Sequence, residues 1–228
     1  MPARGGSKGL LDKNLRKVGG KTLIQRTIEV AQSSGQFREI FLDTDSLEIA
    51  EEGKKHGAKV PFLREPKLAS DESQIIDCIF SFFSRLQNYE FEEFEPIVLL
   101  QPTSPLRDLL DIVHCLEAWL EDQGKFSVAT ISSPLQSPKD FISLNAEKKW
   151  IPAISGDFES TNRQSFPEFK FVSGSVYVFS LRFLFEHMEV TPIHFTKYVE
   201  ASQTASIDID TEFDLKLANL LCQQTLDS

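Results

Sequence analysis

Residues 3–14, ARGGSKGLLDKN, bring the adjacent glycines Gly5 and Gly6, Ser7 and the cations Arg4, Lys8 and Lys13 into twelve positions. Glycine-rich backbone opening toward a helix presents N–H groups to phosphate oxygens. On that chemistry Gly5, Gly6 and Ser7 would cradle phosphate. Arg4, Lys8 and Lys13 would neutralise a triphosphate, or the pyrophosphate that leaves it. Residues 1–21 carry six cations against Asp12 alone, in a 228-residue chain of net charge −10. A solvated basic face is the commonplace account of such a run, but it has no need of glycines. The spacing fits neither G-x-x-x-x-G-K-[ST] nor G-x-G-x-x-G, so neither an ATPase loop nor a dinucleotide fingerprint is implied.

A second constellation is SIDIDTEFD, residues 206–214, where Asp208 and Asp210 alternate with Ile207 and Ile209. On extended backbone this sets both carboxylates on one face and both isoleucines on the other. Paired carboxylates suit Mg²⁺, which takes one or two protein oxygens and keeps room for water and phosphate. Capping of the following helix by Asp210 or Thr211 is the competing account. Asp43 and Asp45 form a similar pair, whose expected task is to cap the next helix, with Asp45 or Ser46 as its N-cap. The third constellation is LLQPTSPLR, residues 99–107, an apolar run stopped by a proline-fixed turn. It would place Gln101, Thr103, Ser104 and Arg107 at the carboxyl end of a strand, the edge where open α/β sheets bind ligands. The four histidines form no triad or ligand pattern.

These groups need elements to hold them. Apolar residues at helical spacing predict helices over TLIQRTIEVAQSSG (stopping at Gly35), DSLEIAEEGKKHG, SQIIDCIFSFFSRLQ, LLDIVHCLEAWLEDQ and TEFDLKLANLLCQQ. EIFLDT, AKVPFL, PIVLLQ, FSVATI, FVSGSVYVFS and HFTKYVEAS read as strands. Such alternation predicts an α/β domain with a mostly parallel sheet and helices on both faces. Almost no strand precedes the glycine loop. Either the sheet lacks most of a first central strand, or a few residues precede Met1. Residues 132–170 lose all periodicity and read as an excursion, a hairpin with loops, protruding from one domain spanning 1–228. The acidic balance argues against nucleic acid or an anionic membrane as partner. No apolar run approaches the roughly 18 residues of a membrane span, and no signal peptide is visible, so a cytoplasmic protein is expected. Cys78, Cys115 and Cys222 read as reduced and half-buried.

In order along the chain, ARGGSKGLLDKNL, DTDSLEIAEEGKKHGA, LREPKLASD, LLQPTSPLR, SGSVYVF and SIDIDTEFDL resemble the motifs of the CMP-sialic acid synthetases, or acylneuraminate cytidylyltransferases. The resemblance implies a Rossmann-like nucleotidyltransferase fold in a homodimer that couples CTP to a nine-carbon keto-acid sugar and releases pyrophosphate. Carried over by motif, it assigns the CTP phosphates to Arg4, Lys8 and Lys13, and cytosine and ribose to Asn14 and Arg64. It assigns the sugar to Gln101, Thr103 and Ser104, and Mg²⁺ to Asp208 and Asp210. It also has 132–170 cross to the partner subunit, with Lys139 and Arg163 reaching the partner's sugar. Gln101 is no general base, because an amide is not basic; a metal-bound hydroxide or a substrate carboxylate would take the proton. This chain departs from the family pattern at Phe171, where a cation is common (Lys170 lies beside it), and at Ser173, where Asn is common. Those changes lean toward a deoxygenated, N-acylated sugar of the legionaminic or pseudaminic kind. The rival readings are a CMP-Kdo-type synthetase, a metal-dependent glycosyltransferase and a non-catalytic nucleotide-binding relative.

Overall fold

The computed structural model describes residues 1–86, 92, 94–154 and 168–226. A small antiparallel ladder of β1 (Lys17–Val18) and β2 (Lys21–Thr22), neither foreseen, leads into α1 (Leu23–Ser34). Thr22 caps α1 by accepting from Gln25 N, and Gly35 ends it in the left-handed conformation. α2 (Leu47–Lys55), α3 (Ile75–Arg85), α4 (Leu109–Glu121) and α6 (Glu212–Leu226) fall where the apolar spacing places them. α5 (Leu181–His187) was too short to be read from periodicity.

The sheet runs β3 (Ile97–Leu100), β7 (Phe171–Phe179), β4 (Ser127–Ser132), β8 (Thr196–Glu200). β4 and β8 are parallel, but β7 is antiparallel to both β3 and β4. The sheet is therefore mixed rather than mostly parallel. β3, α4 and β4 still form a crossover unit, and β7 returns from the excursion to lie between its strands. Leu100, Ile112, Cys115, Trp119, Val128, Val176 and Val178 close this layer against α4.

EIFLDT and AKVPFL pair only through single parallel bridges, Phe41 to Lys59 and Pro2 to Asp43. Residues 1–3 thus extend this half of the sheet by a short stub: Ala3 N donates to Asp43 O at 2.9 Å, and Met1 N to Phe41 O at 2.9 Å. A cavity of about 290 Å³ separates the stub from β3, with Thr27 and Ala31 of α1 and Ile79 and Phe82 of α3 among its lining. Its other walls are residues 36–41 and 95–100, and Arg4, Gln101 and Asp208 lie outside it.

The excursion does hold a hairpin, β5 (Ile142–Leu144) with β6 (Trp150–Pro152), whose six residues are all exposed. Arg163 lies outside the described residues. All three cysteines are free and fully buried rather than half-buried. Burial and the nearby Asp111 charge push the Cys115 thiol up to about 12.

Candidate active site

The glycine loop is fixed from both ends of the chain. Lys13, in a 3-10 turn entered through left-handed Asp12, reaches Asp210 Oδ1 at 2.8 Å. Gly9 faces the same stretch: a Cβ there would stand 2.8 Å from the Asp210 carbonyl oxygen. Only glycine allows that approach. Arg4 pairs with Asp71 at 2.6 Å, and Lys8 pairs with the other oxygen of the same carboxylate. Lys8, then Arg4, hold the Asp71 carboxyl below its ordinary range. Asp71 thus occupies the position toward these cations that an anionic ligand would take. Sequence reading quoted LREPKLASD but gave Asp71 no role. Its pairing with the loop spans more than sixty positions, so nothing local signalled it.

Two expected nucleotide contacts have other engagements. Asn14 is buried and its side-chain amide donates to Arg4 O at 2.9 Å, bracing the loop. Arg64, also buried, pairs with Asp43 Oδ2 at 2.7 Å and donates to Asp43 O at 3.0 Å. Asp43 and Asp45 do not cap α2. Ser46 does, accepting from Ile49 N at 3.4 Å, while Asp45 accepts from Gly5 N at 2.9 Å. So the Gly5 N–H points to protein, and the carboxylate pair braces loop and wall.

Residues 207–210 keep the expected alternation: Ile209 is fully buried while Asp208 and Asp210 face outward. The cap of α6 is Thr211, whose Oγ1 accepts from Asp214 N at 3.3 Å; Asp214 in return accepts from Thr211 N at 2.7 Å. This reciprocal capping box leaves the side chains of Asp208 and Asp210 out of the cap. Ile209 N donates to Thr103 O at 2.8 Å, which lays this strand against the QPTSPLR turn. Asp208 accepts from the Thr103 hydroxyl, yet its carboxyl is pushed up, first by the protein mass around it and then by Asp210. A divalent cation would relieve both effects. Among the described residues no group of three or more His, Cys, Asp or Glu side chains is placed to hold a metal. The protein offers a pair, which suits Mg²⁺ sharing its shell with phosphate oxygens. The residues fit the ion.

Gln101 follows β3 at the same edge, with its Oε1 close to Gly174 of β7, as the Tyr177 hydroxyl is. Tyr177, missed in the sequence, has its phenol pushed up by burial and then by the Asp208 charge. Ser104 is buried with no partner for its hydroxyl among the described residues. Ser173, expected near the sugar, turns inward instead, donating to Thr130 Oγ1 at 2.9 Å. Lys170 is held by Glu200 at 2.6 Å and Glu168 at 2.8 Å, and so does not replace the cation absent at Phe171. Lys139 sits in a 3-10 turn of the excursion. Loop, carboxylate pair and turn therefore meet at one sheet edge.

Residues 1–225 match the family described as Cytidylyltransferase. The chain is 34% identical over 224 residues to a CMP-N,N′-diacetyllegionaminic acid synthase of Legionella pneumophila, covering 98% of this chain and 94% of that one. It is 31% identical to the post-translational flagellin modification protein B of Campylobacter coli, covering 97% and 93%. A CMP:2-keto-3-deoxy-manno-octonic acid synthetase complexed with CTP superposes with a TM-score of 0.69 at 17% identity, covering 98% and 97%. That last likeness shows the fold, a Rossmann-like nucleotidyltransferase. With the whole length matched and the cationic loop, carboxylate pair and polar turn on one edge, the chain belongs to the cytidylyltransferase family.

Proposed function

We propose that this chain activates a sialic-acid-like nonulosonic acid, of the N-acylneuraminate or legionaminate type, with CTP. The products are the CMP-sugar and pyrophosphate. The observation that carries this reading is the junction of loop and carboxylates: Lys13 on Asp210 at 2.8 Å, beside a loop whose Arg4 and Lys8 already share one anion. The legionaminic acid synthase, matched over nearly its whole length, supports the sugar class. The octonic acid synthetase does not favour an eight-carbon sugar, because its 17% identity speaks to fold alone.

The sugar's anomeric hydroxyl attacks the α-phosphorus of CTP in line. An O–P bond forms, the α–β bridging bond breaks, pyrophosphate leaves, and the hydroxyl proton passes to the sugar's own carboxylate and from there to solvent. The protein's task is positioning and charge neutralisation. Arg4 and Lys8 exchange Asp71 for phosphate oxygens, and Lys13 follows the charge that builds on the leaving pyrophosphate. Gly6, with open space before it, lets the triphosphate approach the backbone, while the Gly5 and Ser7 N–H groups are taken by Asp45 and Gly5 O, and Asn14 and Arg64 keep the nucleotide wall in shape. Mg²⁺, held by Asp208 and Asp210 with phosphate oxygens, would neutralise the triphosphate. Gln101 and Thr103 orient the sugar, while the buried Ser104, expected beside them, lies within the turn that carries them. Phe171 is about two-fifths exposed and gives an apolar wall that suits a deoxygenated, N-acylated sugar.

The hairpin exposes Ile142, Leu144, Trp150 and Ile151. Apolar side chains on an arm outside the core suit a second copy of the chain. A homodimer would bring Lys139 and Arg163 to the partner's sugar site. No described helix is long and apolar enough to cross a membrane.

The test is pyrophosphate release from CTP, Mg²⁺ and a panel of keto-acid sugars. Release is expected with N,N′-diacetyllegionaminate above N-acetylneuraminate, and none with the eight-carbon acid. Release that ignored the sugar, or required the eight-carbon acid, would overturn the reading.

A further inference from the structure

β3 and β7 pair in register from Ile97 with Phe179 to Leu100 with Val176. The next residues in that register are Gln101 and Ser175, and a side chain joins them. The Arg107 guanidinium donates from Nε to Ser175 O at 2.6 Å and from Nη2 to Gln101 O at 2.7 Å. It is 6% exposed, and its Nη1 has no protein acceptor among the described residues. Burial pushes it down to about 10, and the charges of Asp111 and Asp208 offset part of that. It remains a cation at neutral pH.

β7 is irregular at the same place. Its register with β4 jumps between Ala129–Tyr177 and Ile131–Val172, so that Thr130 alone faces residues 173–176. Thr130 holds this bulge from the far side, its Oγ1 accepting from Val176 N at 3.0 Å and from Ser173 Oγ at 2.9 Å. Gly174, at φ +75°, lies within it; a Cβ there would stand 3.0 Å from Gln101 Oε1 and 3.5 Å from the Tyr177 hydroxyl. Bulges bend a strand and re-aim its neighbours. This one brings bare backbone up to the Gln101 amide.

We propose that Arg107 is a positioning residue for sugar recognition: its guanidinium fixes the end of β3 against the β7 bulge and so sets where Gln101 and Tyr177 meet the sugar. The inference rests on the sugar-activating reading above. An arginine kept for stability alone is a poor choice here, because a buried charge is commonly replaced by an apolar chain of similar length without loss. A fork that reaches two carbonyls at fixed angles is what arginine alone supplies. Lysine offers a point charge and cannot hold both carbonyls in that geometry.

The experiment compares Arg107→Met and Arg107→Lys with the wild-type protein, varying CTP and sugar separately in the pyrophosphate assay and recording thermal melts. Arg107→Met should raise the sugar KM about tenfold, the effect of one displaced hydrogen bond. Its CTP KM should stay within about twofold, since that binding energy lies elsewhere. Arg107→Lys should recover part of the sugar KM, and both variants should narrow the preference for legionaminate over neuraminate. If Arg107→Met does not fold, the sugar KM of Arg107→Lys decides alone. An unchanged sugar KM, or sugar and CTP KM rising together with a fall in Tm, would overturn the proposal. A wild-type protein that releases no pyrophosphate with any sugar would instead remove the underlying reading, and this inference with it.

Discussion

The glycine loop and the excursion after β4 are both polar, irregular stretches, yet the fold treats them oppositely. The loop is tied to three distant segments, Gly5 to Asp45, Arg4 and Lys8 to Asp71, and Lys13 to Asp210 across 197 positions, and is braced within itself by Asn14 on Arg4. The β5–β6 hairpin forms a two-stranded ladder of its own, with every residue of both strands exposed. The first region is completed by the chain itself. The second presents Ile142, Leu144 and Trp150 outward, as a surface does when another molecule completes it. On the proposed homodimer the contrast would divide the reaction, with nucleotide handling in one chain and sugar handling shared between two.

The strongest way to break the nucleotide half is Asp208→Asn. Turnover should fall about 10²–10³-fold, the usual effect of removing one preorganised electrostatic group. Its stability should move the other way. Asp208 is raised above 3.8 in the folded protein, so the folded state resists its ionisation and stability is lost as pH rises through the raised value. Asparagine removes that penalty. Without Mg²⁺ at neutral pH the variant should melt higher than wild type, and a lower Tm would contradict the account.

Next in size is a mixing experiment on the sugar half. Arg4→Ala and Lys139→Ala chains should each be nearly inactive as homodimers. Exchanged together they should recover roughly a quarter of wild-type rate, since about half the dimers are mixed and each holds one intact site. Absence of recovery, with mixed dimers demonstrated, would count against a shared site. Gly9→Ala should follow, because its Cβ would press on the Asp210 carbonyl at 2.8 Å. A loss of about 1–3 kcal/mol is expected from such overpacking, read as a shift of the denaturation midpoint. The smallest effect is expected from Asp71→Asn, which frees Arg4 and Lys8 and should lower the CTP KM about two- to fivefold. Asp71 sits below 3.8, so its ion pairs persist above that pH and are lost only as pH falls through the lowered value. The KM ratio of variant to wild type should therefore stay level from pH 6 to 9.

The sequence disclosed the groups that act through charge and period. Alternation alone separated Asp208 and Asp210 from buried Ile209, and Gly35 and the apolar stripes marked the helices. What stayed hidden depends on pairing across long separations. Nothing local tells Ser173 that it will bond Thr130, forty-three positions away, or directs Arg107 to Ser175 sixty-eight positions away. The antiparallel course of β7 was hidden for the same reason, since a largely buried strand reads alike in either direction. The bulge at Gly174 resembled an ordinary glycine in an apolar run.

The division between one chain and two is tested most directly by a monomer. Trp150→Glu places a charge on the exposed hairpin and should yield a monomer by sedimentation, with the fold retained by circular dichroism. Calorimetry with CTP and Mg²⁺, followed by pyrophosphate release with saturating sugar, then reads the two halves separately. The account predicts a CTP Kd within about twofold of wild type, the domain fold being independent of the arm, together with near-complete loss of turnover. A monomer that turns over at the wild-type rate, or one that loses CTP binding along with turnover, would contradict it.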